Sequence, residues 1–385
     1  MLSLTFWMNM PSFYQADFFR ALLRTGKVNL KAIFTNRIPE DRVKLGWQND
    51  LEGFEHEFLD EKHPARDAFS KALKHRRKIN IVSGLWAGKV SETVLATLFL
   101  SHSRYFIYSE APDPRERVSP VKQKILTGLG GPVVRNATGL LPISHFAYDY
   151  FKSYGAAESK LHPFGYFRNS PRTGTETLPP ANKTTIDVVY VGQLVRRKGL
   201  DLLFAAMEPL FTDYGSLNLH LIGSGDMQSE LEDWVRVRNL SGRIKFEGTL
   251  NPRQVTERIS RADMLALPSR WDGWGLVVNE ALMAGVPVIV SDMCGAADVV
   301  RNGVNGYIFR SEDVPDLRDK LKTFLTGQHP NLLLSEAAAE TGMRLAPDNA
   351  AYYLLSVLES GYVDNYSTSK YPWMANNPLN LLPKR

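Results

Sequence analysis

A chain of 385 residues is long for one hydrophobic core and comfortable for two domains, and 44% hydrophobic with 23% charged residues is the balance of a soluble globular protein. The single cysteine, Cys294, excludes an internal disulfide framework, and no stretch approaches the roughly 18 apolar residues of a membrane span. The net charge of +5 is uneven, with 25 Lys and Arg against 17 Asp and Glu in residues 1–180 and 21 against 24 in the remainder. A basic first half points to an anionic partner (a lipid surface, a phosphorylated acceptor or a nucleic acid), or else to a solvated surface with some bias. The first residues, MLSLTFWMNMPSFY, lack the basic region and cleavage site of a signal peptide. They read better as a first strand, and a cytoplasmic location is expected.

The apolar run Leu2–Met8 predicts a buried strand, and Tyr14–Arg24 carries its large apolar residues at helical spacing before Gly26. A second strand at Leu30–Phe34 completes β-α-β, the start of a parallel sheet. Residues 35–78 are polar and end in the basic run Lys74–Lys78, which reads as a helix end or exposed loop, with a lipid-headgroup contact as the alternative. Strands follow at Ile79–Val82 and Tyr105–Tyr108, separated by a helix from about Ser91 to Leu100. Glu110 comes just after the second of these, where open α/β sheets bind ligands. A short strand within Ala137–Ile143 leads to a Ser144 cap and a helix over Ala147–Tyr154. Residues 168–184, rich in Thr, Pro, Asn and Gly, are the best linker candidate.

The second half alternates more legibly. Strands are expected at Ile186–Val191, Asn218–Ile222, Ile244–Glu247, Met264–Leu267 and Val288–Val290, with helices over Leu200–Pro209, Met227–Arg238 and Pro252–Ser260 between them. A further helix opens near Asn279-Glu280-Ala281-Leu282, and another covers Asn349–Glu359 before a polar, aromatic tail. Three loops follow strand ends: Gly192–Gly199, Gly223–Asp226 and Trp271–Gly275. In a parallel sheet they converge on one crevice. That crevice would hold glycine backbone, the adjacent cations Arg197 and Lys198, and two carboxylates, Asp272 and Glu280, with seven residues between them. Cations suit a diphosphate, a carboxylate suits ribose hydroxyls, and a Gly-rich loop entering a helix offers N–H groups to an anion. This inventory describes a nucleoside diphosphate carrying a hydroxyl-rich group.

Four stretches, VVYVGQLVRRKGLDLL, LHLIGSGDMQSELE, IKFEGTL and SRWDGWGLVVNEALMAGVPVIVSDMCGAADVVRNGVNGYIF, resemble the nucleotide-sugar domain of retaining family 4 glycosyltransferases with the GT-B fold, a family that builds many bacterial polysaccharides and lipopolysaccharides. They cover roughly residues 186–309. The resemblance implies two Rossmann-like α/β domains facing across a cleft: residues 1–170 binding the acceptor and residues 171–354 the donor, with the terminal segment from about 355 to 385 packing back on the first. It implies that Glu280 binds the donor ribose and that Asp272, one methylene shorter than the family's usual Glu, stands near the donor sugar. Gly273, Trp274 and Gly275 match the loop whose amides meet the sugar, and Leu276 and Val277 match positions that contact phosphate. Lys198 matches the diphosphate lysine. Gln193 replaces a usual arginine, and Arg197 is the candidate for the missing charge. Gly192, Ser224, Thr249 and Leu250 fall around the base and ribose, while Pro11, Ser12 and Tyr14 occupy the loop near phosphate and acceptor. That loop also reads as a simple turn and helix start.

Glu110 stands where many members carry a histidine. It could polarise the acceptor hydroxyl or contact the donor sugar, or merely cap neighbouring backbone. Trp271 and Trp274 read as sugar-stacking rings or as core, and Cys294 as a buried bystander. No metal spacing is present among the eight histidines, and no cofactor is expected beyond the donor itself. The expected activity is retaining transfer from a nucleoside-diphosphate sugar to a glycan or lipid-linked acceptor, at the inner face of a membrane that the basic first half would touch. A sugar-nucleotide epimerase and a non-catalytic binding homologue are the alternatives; a nucleic-acid partner is disfavoured, because basic and aromatic residues do not interleave.

Overall fold

The computed structural model describes residues 1–40, 43, 50–116, 119–169, 184–327 and 332–360. They form two units, one of Met1–Asn169 together with the helix Pro347–Ser360, the other ending at Ala346. In the first unit, β1 (Leu2–Met8), β2 (Val28–Phe34), β3 (Glu55–Phe58), β4 (Ile79–Ser83), β5 (Tyr105–Ser109) and β6 (Gly139–Pro142) make one parallel sheet ordered β3-β2-β1-β4-β5-β6. In the second, β7 (Ile186–Val191), β8 (Leu217–Ile222), β9 (Ile244–Gly248), β10 (Met264–Leu267), β11 (Val288–Ser291) and β12 (Gly306–Phe309) are ordered β12-β11-β10-β7-β8-β9. Each sheet therefore reverses its strand order once, between β1 and β4 and between β7 and β10. At such a reversal the crossover helices leave on opposite faces and open a crevice at the carboxyl ends.

The expected strands are present because central parallel strands are covered on both faces and so read as continuous apolar runs. In β1, Leu4, Thr5, Phe6, Trp7 and Met8 are all buried, with register from Leu2 opposite Val28 to Met8 opposite Phe34. Thr5 is tolerated there because its Oγ1 meets His75 Nδ1 at 3.1 Å, and Trp7 Nε1 donates to Asn80 Oδ1 at 2.9 Å. Burial, aided by Lys78 and Lys31, lowers the His75 pKa to about 4, so the ring sits neutral among these partners. The basic run Lys74–Lys78 is the end of the helix Pro64–His75 and the turn after it.

Several elements escape the periodicity. The polar stretch 35–78 conceals β3, whose sequence EHEF has no apolar run because it is an edge strand. It also conceals the helix Pro64–His75. The helices Pro120–Asn136, Val314–Thr326 and Leu332–Arg344 and the strand β12 likewise had no assignment. Residues 170–183 of the expected linker and 361–385 of the expected tail lie outside the described residues. The second unit ends at Ala346 instead of residue 354, because Pro347–Ser360 packs along the helix Phe13–Arg24 of the first unit.

That last helix is held by unequal contacts. Arg24–Asp348 at 2.8 Å and Lys27–Glu359 at 3.1 Å are exposed ion pairs, worth little against solvent and salt. Leu354 is fully buried and lines the same apolar space as Phe18 and Phe19, and the Tyr353 and Phe164 rings stack with centroids 6.2 Å apart. Leu354→Ala is expected to cost about 2–5 kcal/mol in urea unfolding, and Lys27→Ala less than about 1 kcal/mol. Equal effects would contradict this division.

Candidate functional site

The carboxyl end of β7 lies at the reversal point of the second sheet, and the sequence turns there through three glycine-containing loops. They are knitted by backbone bonds: Gly192 N–H to Ile222 O at 2.9 Å, Leu194 N–H to Ser224 O at 2.9 Å, Met227 N–H to Leu194 O at 2.9 Å and Gly223 N–H to Gly248 O at 2.8 Å. Gly223 has φ +134°, and a Cβ there would fall 1.9 Å from the Gly192 carbonyl oxygen. Only glycine permits that approach. Ser224 and Thr249 bring their hydroxyls within 3.3 Å of one another. Leu250 follows in the same turn.

Across the reversal, the loop after β10 carries Asp272 and leads into the helix that carries Glu280. Lys198 Nζ and Asp272 Oδ2 form a close ion pair, with side chains only 13% and 15% exposed. Arg197 Nη1 donates to the Trp271 carbonyl at 2.7 Å, so this guanidinium holds the loop that carries Asp272. Arg270 completes the clamp: its Nη1 and Nη2 grip both Asp201 oxygens at 2.7 and 2.8 Å, Nη1 also reaches Arg196 O at 2.8 Å, and Nε reaches Glu312 at 2.9 Å. Arg270 N–H also donates to Arg197 O at 2.8 Å. Gln193, exposed, offers its carbonyl to Tyr190 Oη at 2.7 Å. Burial, reinforced by Asp272, raises the Tyr190 pKa and keeps that phenol a donor.

The helix expected from Asn279 begins earlier, at Leu276, after Gly275 in the left-handed region at φ +94°. A Cβ at Gly275 would lie 2.7 Å from Cys294 Sγ. The N–H groups of Gly275, Leu276 and Val277 donate to no acceptor among the described residues, as the open end of a helix requires. Glu280 lies one turn on, 9% exposed. Trp274 is 2% exposed and its Nε1 donates to Asn279 Oδ1 at 3.0 Å, while Trp271 is buried too, so both indoles pack inside and neither presents a face for stacking. Gly273 links them at the loop's tip. Cys294 donates Sγ–H to Trp274 O at 2.8 Å and burial raises its pKa, which makes it an inert thiol. Among the described residues no three His, Cys, Asp or Glu side chains gather as a metal site would need.

The first unit holds the remaining candidates. Ser12, buried beside Pro11 after β1, caps the helix Phe13–Arg24 by accepting from Gln15 N–H at 3.4 Å. The turn-and-helix-start reading describes its geometry. Tyr14 packs on Tyr166 with ring centroids 4.6 Å apart, and Tyr166 Oη donates to Glu110 Oε1 at 2.5 Å just beyond β5. Spacing does not reveal Tyr166, Arg270 or Asp201: Tyr166 meets Glu110 across 56 residues, and Arg270 meets Asp201 across 69.

Arg270 and Asp201 yield a measurable expectation. Burial opposes the Asp201 charge, but the Arg270 hydrogen bonds and charge outweigh it and hold the carboxyl below its ordinary range. Its stabilisation is therefore complete above the ordinary aspartate pKa of about 3.9 and fades as the pH falls through the lower folded value. Asp201→Asn should cost about 1–3 kcal/mol at pH 7, and the gap from wild type should narrow below about pH 4. A gap independent of pH in chemical unfolding would refute the assignment.

Residues 178–341 match the family model described as glycosyl transferases group 1. An uncharacterised glycosyltransferase of Methanocaldococcus jannaschii is 33% identical over 119 residues, and glycogen synthase of Mycobacterium tuberculosis 32% over 155 residues. These matches take in 31% and 40% of this chain and only 30% and 35% of the relatives' own lengths. The fold extends further: the Anabaena HepE structure in complex with UDP superposes with a TM-score of 0.72 at 15% identity, over 94% of this chain and all of that one. The apo lipopolysaccharide outer core galactosyltransferase WaaB superposes at 0.69 and 16% over 93% of this chain and 99% of that one. Residues 178–341 of the second unit thus resemble the group 1 glycosyl transferases, within a chain of two Rossmann-like domains that has the GT-B fold.

Proposed function

We propose that the chain is a retaining glycosyltransferase, moving a hexosyl group from a nucleoside-diphosphate sugar to a hydroxyl of a glycan or lipid-linked acceptor in cell-surface polysaccharide, O-antigen or lipopolysaccharide synthesis. The observation that carries this reading is the Lys198–Asp272 pair at the reversal point, beside a helix start with open N–H groups that carries Glu280 one turn in. A diphosphate is the ligand such a place accommodates: Lys198 exchanges Asp272 for phosphate, and Leu276 and Val277 supply N–H donors at the positive end of a helix. Charge accumulating on the departing diphosphate is then met by preorganised donors, without a cofactor. Asp272, released from Lys198, turns to the sugar, with Gly273, Trp274 and Gly275 contributing backbone. Glu280 takes the ribose, and Gly192, Gln193, Ser224, Thr249 and Leu250 surround ribose and base. Glu110 contacts the acceptor hydroxyl or the transferred sugar, near the Pro11-Ser12 turn and Tyr14. HepE has been crystallised with UDP and with UDP-glucose, which makes UDP-sugars the first donors to try.

In a thermal-shift screen of UDP-, GDP-, ADP- and dTDP-sugars, one donor at a hundred times its Kd should stabilise the protein by about 2.7 kcal/mol. Lys198→Ala should weaken that donor at least about tenfold, as loss of a charge-assisted phosphate contact does. Arg197→Ala should disturb it less, because its guanidinium is engaged by Trp271. No shift with any sugar nucleotide would remove the reading. Product analysis without acceptor separates it from epimerisation: slow release of the nucleoside diphosphate is expected, and an epimerised donor is not.

The same reading places the protein in the cytoplasm at the inner face of a membrane. No described helix is long and apolar enough to cross one. The helix Pro120–Asn136 supports peripheral contact: Val121, Ile125 and Leu129 are exposed at four-residue spacing, and its sequence carries Lys122, Lys124 and Arg135 with no acid. An exposed apolar ridge on a helix of cationic sequence suits an anionic lipid surface. Wild type should co-sediment with vesicles containing phosphatidylglycerol, and Ile125→Ser/Leu129→Ser should lose most of that binding at unchanged thermal midpoint. Binding that is indifferent to both changes would exclude this face.

A further inference from the structure

The first unit brings a carboxylate and a buried phenol together where the sequence marks only the carboxylate. Glu110 follows β5, and Tyr166 belongs to the irregular segment that returns past β6. That segment is fixed before it reaches Glu110. Phe164 N–H donates to Pro142 O at 2.8 Å, Tyr108 Oη donates to Gly165 O at 3.1 Å, and Asn169 is bound by its backbone and amide nitrogens to Asp17 at 2.9 and 2.8 Å. The Tyr166 ring is wedged between Tyr14, 4.6 Å away by centroid, and Tyr108, edge-on at 6.1 Å. A side chain so enclosed holds its hydroxyl on Glu110 Oε1, where it donates.

We infer that Tyr166 is a positioning residue of Glu110, its hydroxyl fixing Oε1 so that the carboxylate stays ionised and oriented for a reacting hydroxyl. The inference deepens the role given to Glu110 above and rests on it. A phenylalanine would fill the same ring space equally well, so ring packing leaves the hydroxyl unexplained. A donor to the charged form of a carboxylate favours that form. Tyr166 is suited to be a permanent donor: burial, then the Glu110 charge and the neighbouring phenols, raise its own pKa far out of reach. Titratable groups near Glu110 among the described residues include Tyr166, Tyr108 from β5 and Tyr14 from the first helix, with the Asp113–Arg115 pair in its own loop. Tyr108 is held neutral by its burial.

The decisive measurement is the titration of Glu110 by carbon-detected NMR on the full chain labelled at glutamate carboxyl carbons, with Glu110→Gln identifying the resonance. In Tyr166→Phe the Glu110 midpoint should rise by roughly half to one pH unit, because only the charged form loses a hydrogen bond. An unmoved midpoint overturns the inference whatever the activity. The second readout is release of UDP from UDP-glucose across pH. Tyr166→Phe should lower kcat several-fold with KM within about twofold, shift the acid limb upward by the same interval, and add nothing further in a Glu110→Gln background. A purely structural tyrosine would instead lower the thermal midpoint and scale the profile without moving its limb. Full activity in Glu110→Gln would overturn the role of Glu110 itself, a failure distinct from an unmoved titration in Tyr166→Phe.

Discussion

Opposite charges placed on two loops that meet at a sheet reversal govern the second unit. Lys198 belongs to the loop after β7 and Asp272 to the loop after β10, adjacent parallel strands whose crossover connections leave in opposite directions. An ammonium and a carboxylate this enclosed satisfy each other when no anion is bound. Under the proposed function the pair is exchangeable, because a diphosphate offers the lysine more negative charge than one carboxylate can.

Around that pair the surroundings are rigid in a graded way. Arg270 spends its guanidinium on Asp201, Glu312 and the Arg196 carbonyl, and Arg197 spends part of its own on Trp271. Four cations, Arg196, Arg197, Lys198 and Arg270, do three different things. Arg197 and Arg270 clamp loops, Lys198 is poised against an acid, and the exposed Arg196 reaches Asp201 at 3.2 Å. Buried indoles from Trp271 and Trp274 give the glycine-rich loop a firm base, leaving only its backbone on the outer side.

The first unit solves a related problem with phenols instead of cations. Its candidate carboxylate, Glu110, stands at a strand end among aromatic rings, where an unsupported charge would be costly. Tyr166 supplies the hydrogen bond that makes the charge tolerable. The terminal helix Pro347–Ser360 closes the same apolar region from the far end of the chain, so residues separated by more than three hundred positions share one core.

Strand identity was legible wherever both sheet faces are covered, because burial on two sides leaves an apolar run that reads directly. It was illegible at β3, an edge strand of charged residues, and at helices such as Pro120–Asn136, whose exposed apolar ridge spoils the amphipathic pattern. The sequence by itself also determined the glycine-rich loops, the acids Asp272 and Glu280 seven residues apart, and the cations Arg197 and Lys198, since local chemistry and spacing carry those signals. Which of these charges pair was a matter for tertiary structure alone. Lys198 with Asp272, Arg270 with Asp201 and Tyr166 with Glu110 are separated by 74, 69 and 56 residues, and only the sheet order brings them within hydrogen-bond reach.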